Sequence, residues 1–271
     1  MGKLSGKKAL VTGAARGLGR ETALRLAALG ADVGVIDINF QSFKEFKGEN
    51  DLLTAENVME EIKNLGRNVS SAVADIGNRE QVFAAVEHIA GELGGLDICV
   101  CIAGGGMGAP DGNKPTTMNW EQYHAVIDRN LHGTIYTCYA AAPYMIKQKY
   151  GKIVTMGSVG GLVANSDGAY AHYGIAKAGI IHYTRYLAQE LGLYNINANC
   201  VAPGYMATGR LKDQYKQAGE DTFLSRMALK RFGTPADVSD AIEFLVSGES
   251  DYITGHILEI SGGVTGRVRV D

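Results

Sequence analysis

Thr12-Gly13-Ala14-Ala15-Arg16-Gly17-Leu18-Gly19 joins a short apolar run, Lys8–Thr12, to a stretch of helical periodicity, Gly17–Leu29. Glycines let the backbone approach a bound phosphate because no Cβ intervenes, and a helix starting at the same point aims its N–H groups at the anion. A glycine triplet alone says little in a chain with 36 glycines. Set between a first strand and a first helix, it predicts a dinucleotide-binding turn. Its spacing is G-x-x-x-G-x-G, not the G-x-G-x-x-G of the common fingerprint.

On either side of this turn, short apolar runs alternate with helical stretches. Asp32–Asp37, Asn68–Ala74, Leu96–Ile102, Gly151–Met156, Ile196–Val201 and His256–Ile260 join Lys8–Thr12 as predicted strands. They lack clean polar alternation, as strands buried on both faces do. Leu52–Leu65, Arg79–Leu93, Asn119–Lys147, Tyr170–Leu193 and Ala236–Ser247 read as helices, with Gly30, Gly66 and Gly94 just past three helix ends, where a left-handed cap favours glycine. This alternation predicts one Rossmann-like, doubly wound α/β domain over residues 1–271, with a seven-stranded, mostly parallel sheet and helices on both faces. The segment 38–51 breaks the rhythm. It is polar, carries Phe40, Phe43 and Phe46, and is longer than the usual strand-to-helix loop. It reads as a surface insertion with its aromatics tucked onto the domain, or as a rim around the adenosine end of a cofactor.

Composition narrows the function classes. Hydrophobic residues make up 46% and charged residues 20%, the net charge is −3, and no basic stripe offers itself to nucleic acid. The N-terminal apolar stretch is too short for a secretion signal or a membrane span, and Gly6 stands where a myristoylation signal wants Ser or Thr. A cytoplasmic protein is expected. Cys99, Cys101, Cys138 and Cys200 are expected to be buried, reduced thiols, the first two pointing to one face of their strand. No His or Cys spacing calls for a metal.

Asp37 closes the second predicted strand. A carboxylate there accepts hydrogen bonds from ribose hydroxyls and repels a 2′-phosphate, which favours NAD over NADP. Further along, Tyr173 and Lys177 stand four positions apart on one helical face. A phenol is a poor base at neutral pH, and an adjacent ammonium favours its ionised form. Tyr173 then serves as general acid/base for an alcohol or ketone. Ser158 follows the strand Gly151–Met156 at the sheet's carboxyl edge, from where its hydroxyl can donate to a substrate oxygen gaining negative charge.

These motifs together resemble the short-chain dehydrogenase/reductase family in its compact branch, whose glycine motif is T-G-x-x-x-G-x-G and whose active site carries Y-x-x-x-K. The resemblance spans nearly the whole chain. It includes Arg231-Phe232-Gly233-Thr234-Pro235-Ala236-Asp237-Val238, Thr254-Gly255 and Ser261-Gly262-Gly263. It implies cofactor contacts from Gly13, Arg16, Gly17, Leu18 and Gly19, with Asp75 and Ile76 at the adenine. It also implies Ala103 and Gly104 under the cofactor, Pro203, Gly204 and Thr208 at the nicotinamide carboxamide, and Tyr173 and Lys177 beside it. Arg16 argues for NADP, being the kind of residue common in NADP-binding relatives; Asp37 outweighs it. Asn130, in Asn130-Leu131-His132-Gly133, is unfavourable for helix propensity. The resemblance gives it the task of holding a helix distortion and a water that links Lys177 to solvent. A homotetramer built through Asn119–Lys147 and Tyr170–Leu193 is also implied. One departure stands out: Cys101-Ile102-Ala103-Gly104 replaces the family's N-N-A-G, so an apolar repacking is expected there.

The expected substrate borders are Met107–Pro110, Val159–Tyr170 and Tyr205–Phe223, with Leu162, Val163, Tyr205, Met206, Leu211 and Phe223 as apolar candidates and no arginine clamp. They suggest a hydrophobic secondary alcohol or ketone, cyclic or aromatic. His172 reads either as a substrate contact or as a helix-surface residue. Residues 204–225 form the expected lid, with Gly209 and Gly219 permitting closure. The rival classes are a dinucleotide-binding scaffold or sensor without turnover, against which Ser158, Tyr173 and Lys177 all speak, and a non-redox transferase.

Overall fold

The computed structural model describes residues 2–109, 111–217 and 219–265. Seven strands form one parallel sheet: β1 (Lys8–Thr12), β2 (Asp32–Asp37), β3 (Val69–Val73), β4 (Ile98–Cys101), β5 (Gly151–Met156), β6 (Ile196–Pro203) and β7 (Ile257–Ile260), in the order β3-β2-β1-β4-β5-β6-β7. The chain thus has the doubly wound Rossmann-like architecture, with every described strand pair parallel. The strand order reverses between β1 and β4, which opens a crevice at their carboxyl ends.

Alternate residues of each strand feed two cores. Ala9, Val11, Val33, Val35, Val100 and Val154 pack on one face beneath α1 (Gly17–Ala28) and α10 (Pro235–Val246). Leu10, Ile36, Cys99, Cys101 and Ile153 pack on the other, against α4 (Arg79–Leu93), α6 (Gly133–Gln148) and α7 (Ala171–Leu191). No helix of the described residues is long and apolar enough to cross a membrane.

Several predicted elements change. The stretch Asn119–Lys147 is not one continuous helix: α5 (Trp120–Ile127) passes through a π-helical turn, Asp128–His132, before α6 resumes. The predicted helix Leu52–Leu65 starts only at Val58, as α3 (Val58–Asn64), because the Asn57 side chain caps it by accepting from the Met59 and Glu60 N–H groups. The segment 38–51 contains a 3₁₀ turn, Ser42–Glu45, and the short α2 (Lys47–Asn50). Two helices that the sequence did not announce, α8 (Gly209–Gln217) and α9 (Glu220–Leu224), lie within 204–225.

The 38–51 segment is bound down firmly. Phe43 and Phe40 are buried, and Phe46 lies under the Arg16 guanidinium at 4.6 Å. Arg20, buried on α1, bonds Glu61 through Nε at 2.7 Å and donates to the Leu52 carbonyl at 3.0 Å. The first helix therefore holds both α3 and the end of the insertion.

Candidate active site

The glycine turn follows β1 directly. A Cβ on Gly19 would lie 1.9 Å from the Gly13 carbonyl oxygen, and one on Gly13 would lie 2.8 Å from Ala103 Cα. Both positions therefore demand glycine, and the turn packs directly against the loop after β4. The N-cap of α1, Arg16, makes no side-chain cap, and the first turn carries no acidic residue. This helix start suits an anion, and the cradle fits the phosphates of a dinucleotide.

Asp37 is 9% exposed at the carboxyl end of β2. Its carboxylate accepts from the Ala15 N–H at 2.9 Å and from the Asn39 N–H at 3.1 Å. Those bonds fix a negative charge beside the glycine turn, and carboxylate oxygens retain lone pairs for ribose hydroxyls. Asp75, two positions past β3, is exposed; its carboxylate accepts from Gly77 N–H at 2.9 Å, while Ile76 is buried against Gly133.

Sequence reasoning missed Glu49. This carboxylate comes from α2, is only 3% exposed, and accepts from the Gly17 N–H at 3.0 Å and the Gly209 N–H at 2.6 Å. The insertion thereby ties the glycine turn to the start of α8. Thr208 stands at the same junction, its methyl 3.9 Å from where a Gly17 Cβ would be. Pro203 ends β6, and Gly204 N–H donates to the Ile260 carbonyl at 3.0 Å.

The loop after β4 leads from this cradle towards the start of α7. Thr12 Oγ1 accepts from the Ile102 and Ala103 N–H groups at 3.1 and 3.2 Å. Asn130, fully buried in the π turn, accepts from Gly105 N–H at 3.0 Å and donates to the Gly105 and Val126 carbonyls at 2.9 and 2.8 Å. Where the family places amides, Cys101 Sγ lies 3.6 Å from Cys138 Sγ and 3.8 Å from Cys99 Sγ, all three buried. Contact with the Cys138 and Cys99 sulfurs, together with burial, pushes the Cys101 thiol up, so it stays a protonated packing group.

Tyr173 and Lys177 stand one turn apart on α7, with Nζ 5.6 Å from the phenol ring centre. Lys177 is buried and donates to the Met156 carbonyl at the end of β5, at 2.8 Å. Burial pushes its ammonium down to about 8, the charge interaction with Cys200 acting the other way. Ser158, which caps the 3₁₀ turn Val159–Gly161, accepts from Gly160 N–H at 3.2 Å and reaches the Pro203 carbonyl at 3.5 Å. A Cβ on Gly160 would meet Ser158 Oγ at 3.7 Å and Tyr173 Cδ1 at 3.9 Å, so the hydroxyl and the phenol flank this position. The structure therefore gathers Ser158, Tyr173 and Lys177 at the carboxyl ends of β5 and β6. The loop 103–106, pinned at Gly105 by Asn130, runs from Ala103 at the glycine cradle to Gly106, which meets the Tyr170 ring that packs on Tyr173.

Two substrate-side readings need correction. His172 is neither a substrate contact nor a surface residue: it is fully buried, with Nε2 on the Met107 carbonyl at 2.8 Å. Met206 is 3% exposed and belongs to the core beside Gly233, not to an open wall. Tyr205 and Phe223 pack against each other at 5.3 Å and both against Tyr215, forming an aromatic cluster within 204–225. Leu162, Val163 and Met107 are exposed, Leu211 is half-buried, and Pro110 lies outside the described residues.

A family model described as enoyl-(acyl carrier protein) reductase matches residues 13–265. The chain is 46% identical over 262 residues to a cyclohexanol dehydrogenase of Rhodococcus sp. (strain TK6), covering 97% of each protein. Among solved structures, it resembles a short-chain type dehydrogenase/reductase from Mycobacterium marinum at 31% identity and TM-score 0.84, covering 97% of both chains. A 3-oxoacyl-[acyl-carrier protein] reductase with bound NAD from Brucella melitensis matches at 30% identity and TM-score 0.80, covering 97% of this chain and 94% of that one.

Proposed function

The chain belongs to the short-chain dehydrogenase/reductase family of nicotinamide-dependent oxidoreductases, and on that premise we propose that it moves a hydride between NAD and a hydrophobic, cyclic secondary alcohol or its ketone. The observation that carries this reading is the buried Lys177 ammonium beside the Tyr173 ring, at the strand ends that also present Ser158.

The nicotinamide, when bound, accepts the hydride in oxidation and supplies it in reduction. Tyr173 Oη takes the alcohol proton in one direction and returns it to the carbonyl oxygen in the other. Lys177, held by Met156, favours the phenolate through its charge. Ser158 donates to the substrate oxygen, and Asn130 ties the loop 103–106 at Gly105 to α5 and the π turn. Gly13, Arg16, Gly17, Leu18 and Gly19 would hold the phosphates, Asp37 the adenosine ribose, Asp75 and Ile76 the adenine, with Ala103 and Gly104 beside the cofactor and Pro203, Gly204 and Thr208 at the carboxamide. Asp37 supports NAD over NADP because its charge, fixed by two backbone N–H groups, would face a 2′-phosphate.

The substrate reading draws on the cyclohexanol dehydrogenase relative and on the exposed apolar Met107, Leu162 and Val163 near the site. Residues 204–225 serve as the lid in this reading. The four free, buried cysteines suit a cytoplasmic setting. The exposed Tyr139 on α6 and Tyr186 on α7 suit burial in a homotetramer, which the mass in solution tests.

A panel of cyclic and open-chain ketones and secondary alcohols, followed at the NADH absorbance band with NAD and NADP in parallel, tests the reading. NAD-linked turnover of a cyclic alcohol or ketone is expected. Activity confined to NADP, or to short acidic substrates, would overturn it. Dinucleotide binding without turnover of any alcohol or ketone would favour the scaffold or sensor instead.

A further inference from the structure

Tyr170 immediately precedes α7 in the left-handed region, at φ 63°, an uncommon conformation for a bulky residue. Three hydrogen bonds hold it there and stitch the start of α7 to the segment after β4. Tyr170 N–H donates to the Gly112 carbonyl at 2.8 Å, Ala171 N–H to the Asn113 carbonyl at 3.0 Å, and His172 Nε2 to the Met107 carbonyl at 2.8 Å. Only an Nε2–H tautomer of His172 satisfies that carbonyl, which leaves its buried Nδ1 without a hydrogen-bond partner among the described residues. A strained tyrosine backbone and an unsatisfied buried nitrogen are both costs, and structures retain such costs where a side chain has to be aimed.

The ring so aimed is wedged between two neighbours. It meets His172 edge-on at 4.9 Å and tilts over Tyr173 at 5.5 Å and 48°. Its phenol end lies against Gly106, where an added Cβ would be 1.9 Å from Oη and 2.4 Å from Cζ. Gly106 is therefore fitted to Tyr170. The tyrosine spans the gap between the catalytic phenol and the loop 103–106, next to the exposed Met107.

We propose that Tyr170 is the specificity-determining wall of the substrate site, resting on Gly106, and that it restricts the enzyme to compact cyclic alcohols and ketones. The inference rests on the ketone reductase reading above. An aromatic face beside the reacting phenol packs against a saturated ring through dispersion and area burial. The same ring blocks the direction a long chain would take between α7 and the loop. His172 is a positioning residue, acting through Tyr170 and Met107.

The test compares cyclohexanone with a long straight-chain 2-ketone under NADH. In Tyr170→Ala the ratio of their kcat/KM values should fall by about tenfold or more, read mainly in KM, with NADH affinity unchanged. Tyr170→Leu provides the same readout should the alanine variant fail to fold, and thermal melting identifies that case. Gly106→Ala should depress cyclohexanone turnover by itself, because its methyl displaces the phenol. Gly106→Ala combined with Tyr170→Ala should perform no worse than Tyr170→Ala alone. An unchanged ratio in a folded Tyr170 variant, or additive losses in the double variant, would overturn the proposal. A wild-type enzyme that binds NADH but reduces neither ketone would overturn the functional reading, and this wall with it.

Discussion

Lys177 holds its ammonium 5.6 Å from the centre of the Tyr173 ring while bonded to the Met156 carbonyl at 2.8 Å. The cation is buried with a neutral oxygen as its hydrogen-bond partner. An ion in that setting costs stability, so its retention points to chemistry rather than to folding.

That cost has a pH signature. Burial lowers the Lys177 ammonium from the ordinary lysine value of 10.5 to about 8 in the folded chain. Below 8 both folded and unfolded chains hold the proton, and the penalty is present in full. Between 8 and 10.5 the unfolded chain binds a proton that the native chain has released, so this group's contribution to stability improves as pH rises. Lys177→Met removes the penalty, worth at most about 3 kcal/mol. The bond lost at Met156 offsets part of that gain. Denaturant melts should show the variant's relative stability greatest at neutral pH and declining from pH 8 to 10.5. A difference independent of pH would contradict the account.

Asn130 makes its three bonds with no exposed surface. Asn130→Ala strands the Gly105 N–H and carbonyl in the loop after β4 and removes a bond to the Val126 carbonyl of α5, and should cost about 3 kcal/mol of stability. Because the same bonds set the loop 103–106, kcat should fall together with the melting temperature. Full activity in a destabilised Asn130→Ala enzyme would show that the π turn only packs.

Glu49 sets a carboxylate at the helix start where the phosphates are expected. Glu49→Gln removes that like charge and should tighten NADH binding by about three- to tenfold, an effect that shrinks with added salt. Weaker binding in the variant would instead make Glu49 a clasp of the closed cleft, through its bond to Gly209.

The fold was legible where backbone geometry demands residue type. Gly13 and Gly19 are required by contacts of 2.8 and 1.9 Å, and Tyr173 and Lys177 must share one face of one helix. The strands were legible as doubly buried apolar runs. Glu49 and His172 were not. Their partners are backbone groups at Gly17, Gly209 and Met107, and a side chain meeting a backbone leaves no pattern of residue types along the chain. The start of α3 is hidden in the sequence because Leu52 and Leu53 continue the apolar period on the N-terminal side of the Asn57 cap. The π turn inserts its extra residue while helix-like spacing of buried positions continues from Val126 through Asn130 and Thr134 to Cys138, so periodicity gives no sign of the break. The aromatic cluster of Tyr205, Tyr215 and Phe223 joins residues spread over 205–223, a contact between separate elements that no local periodicity announces.

The most direct test is turnover by Tyr173→Phe, which deletes one oxygen and keeps the ring that packs on Tyr170. With the best ketone of the panel and saturating NADH, kcat should fall by between about 10²- and 10⁴-fold, while NADH binding and the melting temperature stay at wild-type values. A folded Tyr173→Phe enzyme that turns over at the wild-type rate would contradict the assignment of the proton to this phenol.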